Sequence, residues 1–79
     1  MKYQTPVICI AVPVPIYGHF DYLPAAYTNT EDYSEGMRVL VKFGHRELVG
    51  IVVGQQNETT TPKDKLKPIT QLFKENPAL

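Results

Sequence analysis

The chain has 79 residues, eight basic and eight acidic, for a formal net charge of zero at pH 7. That length makes one domain with a modest core, and neutrality argues against a module that coats duplex DNA, which is normally basic overall. The hydrophobic fraction of 43% is ordinary for a globular fold and argues against disorder over most of the chain.

The first strand is predicted over residues 6–14, "PVICIAVPV", where β-branched residues dominate. Pro13 and Pro15 cannot donate to a ladder, so they should end this strand at an edge or bulge. Cys9, the only cysteine, lies inside it and reads as a small buried hydrophobe; no internal disulfide can form. A short second strand follows over 18–23, "GHFDYL", opened by Gly18 and closed by Pro24. Residues 25–36 are polar and turn-rich and read as an exposed loop, with Gly36 turning the chain back.

Over 37–44, "MRVLVKFG" alternates, placing Val39, Val41 and Phe43 on one side and Arg38, Leu40 and Lys42 on the other. "GHRE" supplies a turn, and "LVGIVVGQ" is so continuously apolar that cover on both faces is expected. Residues 57–65 read as loop and 66–73, "LKPITQLF", as a last short strand or extended piece. The domain is therefore placed over 1–73, with 74–79 as a linker or frayed end. Four or five short strands, with no helical periodicity and no repeat, make the fold class mainly β. A small antiparallel β-barrel, OB-like in one arrangement, or a sandwich fits.

Charge is unevenly spread. Residues 1–36 carry Lys2 against Asp21, Glu31, Asp32 and Glu35, whereas 37–79 carry seven bases against four acids. An anionic partner should meet the second half. No apolar run reaches membrane-spanning length and no signal-peptide pattern opens the chain, so a soluble cytoplasmic protein is expected.

Catalytic motifs are missing. There is no phosphate-binding GxxxxGK[ST] or GxGxxG turn, and no His, Cys and carboxylate set has metal-ligand spacing. His19 and Asp21, two apart, would share one side of a strand, and an Asp-oriented His can act as a general base. With no identifiable nucleophile beside them, the chain is expected not to be an enzyme. Binding residues remain. Phe20 offers a ring to a base or is a core aromatic; Asp21 accepts hydrogen bonds from a ligand or caps a turn. Gly44 supplies a positive φ or leaves room for a ligand, and Lys63, Lys65 and Lys67 form a solvated loop or hold one phosphate.

Taken in order, "ICIAVPVPIYGHFDYLP", "EGMRVLVKFGHRELVGIVVG" and "KLKPITQLF" closely resemble the N-terminal 3′ DNA-binding domain family of primosomal protein N′, the PriA replication-restart helicases. The resemblance spans 7–73. It departs in a longer loop between Pro24 and Gly36, and in Lys42, where a proline often precedes the Phe-Gly pair. Neither departure falls on the expected pocket. The resemblance implies binding of the 3′-OH end of a nascent leading strand at stalled or abandoned forks, by a piece excised from an ATP-dependent 3′-5′ DNA helicase. The family's Phe-Asp pair falls on Phe20 and Asp21, its glycine after the hairpin phenylalanine on Gly44, and its closing-block lysine on Lys67. Asp21 would accept from a 3′-hydroxyl and repel a 3′-phosphate. No cofactor or metal is implied here, since the family's ATP and zinc sites lie in other parts of the helicase. Implied partners are a DNA 3′ end, single-stranded DNA-binding protein and other primosome proteins, with the domain itself a monomer away from membranes. The competing expectation is a protein-interaction β-barrel of a restart complex without end specificity.

Overall fold

Alternation and short turns generate five strands in the structure, a computed structural model that describes residues 2–15 and 18–74. They are β1 (Val7–Ala11), β2 (Phe20–Tyr22), β3 (Arg38–Phe43), β4 (Arg46–Gln56) and β5 (Gln71–Leu72). All belong to one sheet, in the order β2-β1-β4-β3-β5, and every pairing is antiparallel. The β3–β4 hairpin is the most regular part, with an unbroken register from Phe43↔Arg46 to Arg38↔Ile51. Its turn is Gly44 and His45, and Gly44 takes φ +66°. A positive φ at the first central residue matches the II′ kind of two-residue turn, whose twist suits the flanking strands.

The sheet curls toward closure. The N–H of Leu23, just past β2, donates to the Lys67 carbonyl (2.9 Å), and the Ile69 N–H donates to the Leu23 carbonyl (2.8 Å). This short parallel bridge joins the end of β2 to the segment entering β5, so the two edges of the sheet meet there. The phenol of Tyr22 reinforces the junction by donating to the backbone carbonyl of Lys42 (2.8 Å). The enclosed core consists of Ile8, Ile10, Tyr22, Ala25, Tyr33, Val39, Val41, Val52 and Ile69. The architecture is thus mainly β and barrel-like, a curled antiparallel sheet stitched at its edges rather than closed by a full ladder. No helix among the described residues is long and apolar enough to cross a membrane.

Three local expectations change. The first strand ends at Ala11, before the prolines, and its irregularity lies inside it, where the register against β4 shifts between Cys9 and Ile10. The 25–36 loop is not simply exposed. Ala25 and Tyr33 enter the core, and the Tyr33 hydroxyl accepts the Ala25 N–H at 2.8 Å. A 3-10 turn, Thr30–Asp32, folds the loop back so that Tyr33 can do this. Nor is β4 covered on both faces: Val49, Ile51 and Val53 are 48%, 42% and 43% exposed. A single curled sheet has one interior, and no second layer backs the outer face of β4. Of the proposed tail, Lys74 is exposed; 75–79 lie outside the described residues.

Candidate functional site

The site is built at the edge where β2 approaches the hairpin. β2 pairs with β1 in the register Ile8↔Tyr22, Cys9↔Asp21 and Ile10↔Phe20. Alternation sends Tyr22 into the core and Asp21 to the opposite side, directly across from Cys9. Phe20 stays partly buried and meets Phe43 edge to face, with ring centroids 4.9 Å apart and planes at 72°. That pair is a favourable aromatic geometry. It draws the start of β2 toward the tip of the β3–β4 hairpin, although the two strands are not neighbours in the sheet.

Asp21 is the most connected side chain of the region. The buried Thr59 hydroxyl donates to its Oδ2 at 2.6 Å. The Cys9 thiol makes a long contact to Oδ1 at 3.7 Å, and His19 Nε2 lies 3.7 Å from the same oxygen. Thr59 is positioned by reciprocal backbone bonds with Tyr3 (2.7 and 2.9 Å), and its Oγ1 accepts the Thr61 N–H at 3.1 Å. A carboxylate offers about four acceptor positions, so these contacts leave Asp21 capacity for a further donor. Burial first, then the Asp21 charge and the thiol's bond to it, push Cys9 up to about 11. Cys9 is buried, as the sequence suggests, and its thiol stays protonated at neutral pH.

Two hollows meet at Asp21. The smaller, about 230 Å³, is lined by Phe20, Asp21, Gly44 and Lys67, together with Tyr22, Lys42, Phe43, Thr61 and Lys65. All four residues singled out from the sequence thus face one open cleft. It is smaller than the ~300–1,000 Å³ of common small-molecule pockets. A Cβ on Gly44 would meet no atom within 4 Å, so that flank is open. The larger hollow, about 670 Å³, shares Phe20, Asp21 and Thr61 and runs past His19 and Thr59 toward Lys2 and Gln56.

Lys42, expected to lie off the pocket, lines it, because the Phe20–Phe43 contact folds β2 onto the end of β3. Of the lysine cluster, Lys65 and Lys67 face the cleft and Lys63 does not line it. Thr59 and Thr61 were not legible. Only the bridge between Tyr3 and Thr59 brings that loop to Asp21, and a run of threonines in a polar loop carries no signal of it. The sequence shows no metal-ligand spacing, yet the fold gathers Cys9, His19 and Asp21 with their ligand atoms within 4.8 Å of one another.

Comparison with known proteins places the chain in a family and finds a similar relative. Residues 9–79 match the family model for the PriA 3′DNA-binding domain (3′BD). The chain is also similar to the replication restart protein PriA of Haemophilus influenzae, 37% identical over 65 residues, which is 82% of this chain. The match spans 8% of that relative's length.

Proposed function

The chain belongs to the PriA 3′DNA-binding domain family, and from that premise we propose that it recognises the 3′-OH end of a DNA strand during replication restart. The observation that carries this reading is the convergence of Phe20, Asp21, Gly44 and Lys67 on one open cleft of about 230 Å³. The terminal 3′-hydroxyl donates to Asp21. The base lies against Phe20, a contact tolerant of base identity. Gly44 leaves one flank open, and Lys42, Lys65 and Lys67 face the preceding phosphate.

Selectivity follows from the carboxylate. A 3′-phosphate or a continuing strand sets negative charge against Asp21, so the site rejects the wrong end as well as holding the right one. One stacked base and one charge-assisted hydrogen bond give about 4–6 kcal/mol, a dissociation constant from roughly millimolar to tens of micromolar. Tight binding at a stalled fork then needs a second attachment, which the remainder of a longer, ATP-dependent 3′-5′ helicase in the bacterial cytoplasm would supply.

The test is fluorescence anisotropy with labelled single strands ending in 3′-hydroxyl or 3′-phosphate. Wild type should favour the hydroxyl end by about 10–100-fold, the worth of a hydrogen bond to a charged group. Asp21→Asn keeps an acceptor for Thr59 and should bring the two ends together, with an unchanged circular dichroism spectrum. Equal binding of both ends by the wild type, or full selectivity in the variant, contradicts the proposal.

A second reading is favoured by one observation, the exposed apolar row of Val49, Ile51 and Val53 on the outer face of β4. That face suits a protein contact, with single-stranded DNA-binding protein or another primosome component, and it leaves the cleft free. Binding indifferent to the DNA end would make this the leading reading.

A further inference from the structure

Strand pairing sets a soft thiol, a borderline imidazole and a hard carboxylate side by side. Cys9 on β1 lies opposite Asp21 on β2, and His19 immediately precedes β2. The Cys9 Sγ to Asp21 Oδ1 distance is 3.7 Å, and the His19 Nε2 to Oδ1 distance is also 3.7 Å. A tetrahedral zinc-class centre, with metal–sulfur near 2.3 Å and metal–nitrogen or –oxygen near 2.0–2.2 Å, holds neighbouring ligand atoms roughly 3.3–3.6 Å apart. Two of the three pairs are therefore a few tenths of an ångström from that spacing, and the third lies within 4.8 Å.

We propose that Cys9, His19 and Asp21 form a binding site for one divalent cation of the zinc class, with its fourth coordination position open to the larger hollow. The donor set decides the class: sulfur with imidazole suits zinc or cobalt, whereas magnesium and calcium prefer all-oxygen sites. The surroundings also fit. The Thr59 hydroxyl occupies Asp21 Oδ2, which leaves Oδ1 directed at the sulfur and the imidazole. Such an outer hydrogen bond is what orients a ligating carboxylate. Two of the ligands are fixed by the β1–β2 ladder, while the more exposed His19, 42% accessible in its side chain, adjusts to the metal. The cation reaches the site from the larger hollow, which both His19 and Asp21 line. As it binds, the thiol releases its proton to solvent and the thiolate becomes a ligand. Cation and 3′-hydroxyl would then compete for Asp21, a consequence that rests on the end-binding reading.

The test is a titration of the 79-residue chain with Co²⁺ under reducing, chelator-free conditions, followed by thiolate-to-cobalt charge-transfer absorption. No DNA is present, so the outcome is independent of end binding. Wild type should saturate at one Co²⁺ per chain and lose the band when Zn²⁺ is added. Cys9→Ala should show no band, with its fold checked by circular dichroism. His19→Ala changes an exposed side chain and should fold normally, yet weaken Co²⁺ binding at least tenfold, about the loss that even outer-shell partners cause. Absence of the band in wild type at excess Co²⁺, its survival in Cys9→Ala, or unchanged affinity in His19→Ala overturns the proposal.

Discussion

The Cys9 thiol, moved from 9.0 to about 11 by burial and by Asp21, makes stability depend on alkaline pH. In the unfolded chain the thiol ionises near its ordinary value; in the fold it stays protonated further up the scale. Its contribution is whole below pH 9 and is lost as the pH rises toward 11, about 2–3 kcal/mol when complete. Burial also raises the Tyr22 phenol above 10.0, which adds loss in the same direction at the upper end. Urea denaturation with a chelator present, at pH 8 and pH 10.5, should show a steeper fall for wild type than for Cys9→Ala. Parallel falls would remove Cys9 as the cause. At this scale the sequence exposes some residues and hides others for a physical reason. Phe20 and Asp21 are legible because they are adjacent and sit in a recognisable block. The neighbours that shape Asp21 are 12 and 38 positions away, Cys9 and Thr59, and only strand and bridge pairing delivers them.

β4 runs from Arg46 to Gln56 and pairs on both sides, so its backbone sits between two ladders while one face stays wet. Its two inner glycines do different things. A Cβ on Gly50 would stand 2.5 Å from Ile10 Cγ2, 2.9 Å from the Ala11 carbonyl oxygen and 3.2 Å from Val12 Cγ1. Ile10 is fully buried, and a backbone carbonyl cannot swing away, so β1 lies against β4 only because position 50 lacks a side chain. A Cβ on Gly54, four residues on, would meet nothing within 4 Å. Gly50→Ala should therefore cost about 1–3 kcal/mol, while Gly54→Ala should stay within about 0.5 kcal/mol. Thermal or urea unfolding of the two variants checks this; equal costs would mean that the close approach is relaxed at no expense. The hairpin itself was legible, since the RVLVKF alternation and the Gly44 turn agree on one register. The cover over β4 was not, because a run of valine and isoleucine reads the same whether its second face packs on protein or meets solvent. The core role of Tyr33 was hidden by the polar residues around it.

The whole molecule draws its shape from a closure that no single strand encodes. Two hydrogen bonds through Leu23, the Tyr22–Lys42 bond and the Phe20–Phe43 contact bend one sheet until its edges meet, and the cleft opens at that seam. A count of short strands is enough to suggest a barrel. It could not place the seam, which depends on which edges touch. Charge is organised at the same scale. A chain with no net charge presents Lys42, Lys65 and Lys67 around the cleft, so its attraction to DNA is local rather than spread over a face. Each phosphate neutralised on a single strand contributes a slope of about −0.7 to log K against log salt. A nucleotide end held by this seam brings one or two phosphates within reach of those lysines, which gives an expected slope between about −0.7 and −1.4. Binding isotherms for a short 3′-hydroxyl strand across a series of salt concentrations measure it directly. A slope steeper than about −3 would mean that four or more phosphates are engaged, that the strand runs along the surface, and that end recognition is not what holds it.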